Sequence, residues 1–300
     1  MAKLDIMLWC RILFFLVAYL GFSGPVVFGQ IEPTFRFARY GIEEGLSQVT
    51  ALCLMEDDAG YVWIGTQDGL NRFDGYSFKI FKHNPDDDSS VSANRINTIF
   101  QDDDGEIWIG TTAGLNQFDP RKESFTRFGH NDSNRNSLTD DNVTAIVKDN
   151  SGTLWVGTDN GLNAFDIKTQ RFKHYHHDLA DSMSISSSRI LSGLVDNQGT
   201  LWVGTDQGLN LYNPSDDSFT AFQNDPNDTT SISGDEIITM FQDNEERLWV
   251  GTSSGLNLFV EETKTFRRYL VEGKDPTSLS SGDIRAIGQD HKNRIWVGTR

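Results

Sequence analysis

Between Thr34 and Thr299 the apolar residues fall in short alternating runs, such as Val143-Thr-Ala-Ile-Val147, broken every few residues by Asp, Asn and Gly. Period-two alternation sends successive side chains to opposite faces of a strand, whereas an amphipathic helix needs a spacing near ~3.6. The runs predict strands. They also recur. Apart from Trp9, the tryptophans are Trp63, Trp108, Trp155, Trp202, Trp249 and Trp296, separated by 45, 47, 47, 47 and 47 residues. Each lies in one phrase, as in Tyr61-Val-Trp-Ile-Gly-Thr66 and Arg294-Ile-Trp-Val-Gly-Thr299. Five copies run on into Gly-Leu-Asn, which sets Asn71, Asn116, Asn163, Asn210 and Asn257 in register.

Each unit reads as four strands. An apolar alternation comes first, and an Asp-x-x-Gly turn follows, its Gly supplying a positive φ. Leu-Trp-Val-Gly-Thr forms the second strand and Gly-Leu-Asn-x-Phe opens the third. The fourth carries two aromatics three apart, as in Phe125 and Phe128. Glu246 and Asn293 stand where the turn glycine is found elsewhere. Asn tolerates that backbone; Glu246 does not, so its hairpin is expected to take another shape. Four-stranded units of about 40–50 residues with a Trp signature predict an all-β fold, a β-propeller. Such a sheet is apolar on both faces and cannot stand alone, so each Trp is expected to wedge between neighbouring blades. Thr34–Tyr40 and Gly45–Val49 read as a closing fourth strand and its loop. The sixth unit stops after Trp-Val-Gly-Thr, so five full blades and a partial sixth are expected, cut from a longer ring.

The repeated phrase, with Asp-x-x-Gly upstream, resembles the two-component regulator propeller repeat over residues 34–299. The resemblance implies seven-bladed propellers outside the cytoplasmic membrane, followed by a connector, a membrane helix and a cytoplasmic histidine kinase or diguanylate cyclase. No kinase or cyclase signature occurs in these residues. The expectation is a ligand-sensing, non-catalytic segment of a two-component receptor. Its rivals are the sensor region of a diguanylate cyclase, a secreted propeller glycosidase or lyase, and an adhesion scaffold.

The N-terminus is a separate piece. Lys3 and Arg11 precede an apolar run, Ile12–Phe22, and then small residues, which reads as a signal peptide over 1–29 cut after Gly29, or as a signal anchor. Repeats then fill 30–300, exported and membrane-tethered in the full-length protein. A charge of −17, from 26 Lys plus Arg against 43 Asp plus Glu, excludes sequence-independent nucleic-acid binding. Cys10 lies in the leader, and Cys53 reads as a small buried hydrophobe, so no disulfide framework is expected.

Long polar loops enter each innermost strand, on the face shared with the turns between second and third strands. Loops on a rigid scaffold are where binding resides. His83, His130 and His177 recur there in register, with Asp86, Asp87, Asp225 and Asp228. As ligand groups they suit a sugar or another solute; as loop residues they cap turns. His174, His176 and His177 are close in sequence, but alternation sends neighbours to opposite faces. The five asparagines read as turn braces. Neither a metal site nor a cofactor is expected. The expected partners are a small solute, with an oligosaccharide as one reading, the output module of the same polypeptide, and a second copy of the chain.

Overall fold

The first blade of the computed structural model, which describes residues 38–273 and 275–300, consists of Ala51–Glu56, Val62–Thr66, Gly69–Phe73 and Phe78–Phe81, each antiparallel to the strand before it. Four more blades repeat that order from first strands Ile96–Gln101, Val143–Lys148, Ile190–Val195 and Ile237–Gln242. A sixth sheet has two strands, Ile284–Gln289 and Ile295–Thr299. The first strands lie side by side in chain order, so Tyr40–Arg300 is a β-propeller array of five complete blades and a two-stranded sixth. The expected leader, with Trp9 and Cys10, and residues 34–37 of the expected closing strand lie outside the described residues.

A single carboxylate closes each first hairpin. Asp57 Oδ1 accepts the backbone N–H groups of Ala59 and Tyr61 at 3.0 and 2.9 Å, and its Oδ2 accepts the Trp63 indole N–H at 2.7 Å. Asp149, Asp196, Asp243 and Asp290 hold their tryptophans the same way, at 2.7–3.0 Å. Blade two departs from this. There Lys148 of the next blade takes Asp102 Oδ2 at 3.0 Å, and the buried Trp108 indole N–H is left without a partner. The turn glycines have φ of 82–88° at Gly60, Gly105, Gly152 and Gly199. Glu246 adopts φ 61° in the same place, and its N–H reaches Asp243 O at 2.9 Å, as Gly60 reaches Asp57 O at 2.8 Å. The expected change of hairpin shape does not occur. Two bonds from the Asp243 carboxylate to backbone outweigh the cost of a left-handed Glu, about 1–2 kcal/mol.

Blades meet through a hole and a knob. The Gly of Trp-x-Gly has no Cβ, and the β-branched residue opening the next blade fills that space. A Cβ on Gly110 would lie 2.6 Å from Val143 Cγ1, and one on Gly251 would lie 2.6 Å from Ile284 Cγ2. Beside the knob, Trp63 meets Phe118 of blade two at 5.0 Å and Trp202 meets Phe259 of blade five at 5.0 Å, both edge-on. Trp63, Trp108, Trp155, Trp202 and Trp249 are buried. Trp296 is 60% exposed, so the expectation of six wedges holds for five. No described sheet follows the sixth, and the nearest atom to a Cβ on Gly298 is Ala286 Cβ of its own sheet, at 3.4 Å. Cys53, expected as a buried hydrophobe, is half-buried in this seam, its thiol pushed up to about 12 by burial.

Gly110→Ala should therefore cost about 1–3 kcal/mol by overpacking, while Gly298→Ala should change the denaturant midpoint little; equal losses would sink the knob-and-hole account. Burial pushes Asp243 up, but hydrogen bonds from Trp249 and Arg247 prevail and hold its carboxyl below the usual range. Its stabilisation is complete above the unfolded value near ~3.9 and is lost as pH falls through the lowered one. Asp243→Asn should cost roughly 1–2 kcal/mol at pH 7, a gap expected to narrow toward pH 3 in parallel unfolding titrations.

Candidate functional site

The asparagines form the floor under the loop face. Asn71 Oδ1 accepts the Ser47 N–H at 2.8 Å, and its Nδ2 donates to Ser47 Oγ at 2.8 Å and to Ile64 O at 3.1 Å. Ser47 Oγ lies 3.0 Å from Thr66 Oγ1, which donates to Gly69 O at 2.9 Å. Asn116, Asn163, Asn210 and Asn257 build the same relay with Ser92, Thr139, Ser186 and Ser233. All five amides are buried and their acceptors and donors are spent, so they brace turns, as expected, and also anchor each incoming loop.

The incoming loops do share a face with the turns between second and third strands. Gly69, Gly114 and Gly208 of those turns donate to Asn94, Asp141 and Asp235 of the next loop at 2.7, 2.7 and 2.8 Å. Within each loop the predicted ligand groups have structural partners. The Nδ1 atoms of His83, His130 and His177 face the carbonyls of Val91, Leu138 and Ile185 at 2.9, 2.6 and 2.8 Å. Asn224 stands at the same position in the next loop and donates to Ile232 O at 2.7 Å. The shared element is a donor that closes the loop. The bonds to Leu138 O and Asp132 raise His130 above the usual imidazole range.

Three of the four aspartates cap turns in the same loops. Asp87 accepts Ser89 N–H at 2.9 Å, Asp225 accepts Asn227 N–H at 2.8 Å and Asp228 accepts Thr230 N–H at 2.8 Å, while the Asp86 N–H donates to Asn84 Oδ1 at 3.1 Å. His83, Asp86 and Asp87 share one loop and Asp225 and Asp228 another; His130 and His177 sit in two others. Of the set, the cavities described below take in His177 alone. Among the described residues no group of three His, Cys, Asp or Glu could hold a metal ion.

Several loop anchors were not legible as sites. Arg127, on the fourth strand of blade two, donates to Ser90 O at 2.7 Å and Asp87 O at 2.8 Å in the loop running past it. Arg268 repeats this on Ser231 O and Asp228 O at 2.6 and 2.7 Å, and His174 Nε2 faces Ser137 O at 2.8 Å. Their signal is a long donor placed just before the second aromatic of the fourth strand.

Two seams form clefts. Between blades three and four, a cavity of about 750 Å³ is lined by His174, His176, His177, Asp178, Met183 and Asp216, among others. The rings of His174 and His176 are 6.4 Å apart, since residues two apart on a strand share a face. Burial and that neighbour lower His176 below the usual imidazole range. On its wall, Tyr175, together with Tyr212, donates to Asp217 Oδ1 at 2.7 and 2.8 Å, and Lys173 pairs with the other oxygen. A further cavity of about 570 Å³ opens between blades four and five at the hairpin end, over Gln198, Trp202, Glu246 and Lys264.

If the in-register histidines serve as loop closures, His83→Asn should stay within about 0.5 kcal/mol of wild type and His83→Ala should lose about 1 kcal/mol. Equal losses in urea titrations would contradict that role.

The two component regulator propeller family pattern matches residues 45–68, 90–113, 137–160, 231–254 and 278–300. Each match starts in the loop before the relay Ser or Thr and ends at or just after the Thr that bonds to it. Residues 184–207, outside these matches, fold the same way. The extracellular domain of a putative hybrid two component system from B. thetaiotaomicron is 28% identical, with a TM-score of 0.68 over 87% of this chain and 40% of that one. A second such domain from B. thetaiotaomicron is 21% identical, with a TM-score of 0.58 over 88% and 38%. Virginiamycin B lyase from Staphylococcus aureus, 12% identical, has a TM-score of 0.61 over 83% and 77%, a likeness of fold alone. A histidine kinase P4 of Formosa agariphila is 45% identical over 58 residues, 19% of this chain and 4% of that protein. The chain thus spans well under half of its receptor-type relatives, and five of its units match the repeat of the two component regulator propeller family.

Proposed function

We propose that this propeller is the exported, solute-recognising part of a two-component receptor and carries no catalytic step itself. The observation that carries the reading is the likeness to an extracellular hybrid-system domain over 87% of the chain, at 28% identity. The site chemistry supports it. The turn aspartates are committed to indole, backbone or Lys148, and the in-register imidazoles to loop carbonyls, so neither set is poised as acid or base. Recognition falls to the outer parts of loops held on a stiff relay. A 1–29 leader would deliver the chain across the membrane, and an output module elsewhere in the polypeptide, a histidine kinase or a cyclase, would read the bound state. An oligosaccharide is a suitable first ligand class to test.

The exported chain should show a melting-temperature rise of a few degrees with one solute class, equivalent to about 1–3 kcal/mol of binding linkage, and the solute should be recovered unchanged. Chemical conversion of the solute would overturn the non-catalytic reading.

A further inference from the structure

The four loops between complete blades close on themselves in the same way. Asn84, Asn131, Asp178 and Asp225 each donate a backbone N–H to the hydroxyl of the serine six residues on, at 2.8, 3.0, 3.0 and 2.8 Å. Each loop is also tied once to the blade that follows. Phe125, Phe219 and Phe266 donate backbone N–H to Ser89 O, Met183 O and Thr230 O at 2.7, 2.8 and 2.7 Å, and Phe172 donates to the Asn136 side chain at 2.9 Å.

A second tie is made in three of the four. Arg127, His174 and Arg268, paired on their strands with Asn116, Asn163 and Asn257, reach Ser90 O, Ser137 O and Ser231 O at 2.7, 2.8 and 2.6 Å. Blade four has Ala221 at that position, paired with Asn210, and alanine has no donor. Ser184 O, in register with the other three carbonyls, accepts no hydrogen bond among the described residues. The outer part of this loop is thus left with one bond to the next blade, where a guanidinium would add some of the strongest hydrogen bonds a carbonyl can receive. Apolar packing does not make up the loss: Leu179, at the tip, is 95% exposed. The cleft of about 750 Å³ lies along the same gap, with Met183, Ser184 and Ile185 on its loop side and Asp216, Ser218 and Phe219 on its blade side.

We infer that residues 178–184 form a flap that opens and closes over this cleft, pivoting on the Ser186 relay, while the other three loops stay fastened. Segments with few ties open at the low end of a protein's stability range, and the moving loops of binding sites are drawn from that end. The motion goes beyond the solute-recognition reading and does not depend on it. Its reporter is the amide that crosses the seam, followed by residue-resolved hydrogen exchange on the full chain. The Phe219 N–H should be protected about tenfold or more weakly than those of Phe125 and Phe266, whose loops carry the arginine tie. Ala221→Arg should raise Phe219 protection about tenfold and leave Phe125 unchanged. Arg268→Ala should lower Phe266 protection by a similar factor, again without change at Phe125, and decides the matter if Ala221→Arg does not fold. Equal protection of the three amides in the wild type would overturn the flap. So would a folded Ala221→Arg with Phe219 unaltered, or an Arg268→Ala with Phe266 unaltered.

Discussion

The close approach of one blade to the next, through a glycine with no Cβ, is the constraint on which the rest depends. The opening Val or Ile of each blade enters the space above that glycine, and the tryptophan one turn of pleat away then finds its aromatic partner in the next blade. Interiors packed at crystal-like density do not tolerate an extra methyl at such a point. The distance between sheets is thus set by the backbone, and the large rings follow. Hence the same Trp-x-Gly phrase gives a buried ring in five blades and a ring 60% exposed in the sixth. The phrase encodes a half-contact, and the neighbour supplies the remainder.

Pressing sheets this close buries polar backbone in the turns between second and third strands and at the base of each loop, and buried N–H and C=O groups need partners. The Asn–Ser/Thr–Thr relay supplies them in one connected chain of donors and acceptors. The loops consequently stand on a floor that cannot shift without breaking several buried bonds together. Arg127, Arg268 and His174 fasten the outer part of some loops to the next blade, which also covers exposed strand edges. A platform this stiff lets loop tips vary without cost to the fold.

Much of this was legible in the order of residues. Strand period, the 47-residue spacing, the turn glycines and the bracing asparagines each follow from local chemistry repeated in register. Three features were not legible, for a common reason. The exposure of Trp296 depends on whether a sheet lies against it. The left-handed Glu246 depends on how firmly the Asp243 carboxylate pins its hairpin. The meeting of His174 and His176 with Asp216, forty residues on, depends on how a loop of one blade leans on the next. A pattern read along the chain sees residues in one blade; the cleft is made by two.

That distinction bears on where function can reside in a repeat protein. Residues alike in every blade are accounted for by the interface or the floor: Asp57 by its indole, Asn71 by its relay, His83 by its carbonyl. A side chain needed by every blade cannot also be reserved for one ligand. Specificity must come from positions where a blade departs from its siblings at no benefit to packing. Tyr212 and Asp217 depart, but repay themselves in a bond between blades. Leu179 and Met183 depart and stay exposed, while Asp178 and Asp181 beside them cap the same turns as Asp225 and Asp228 in the next loop.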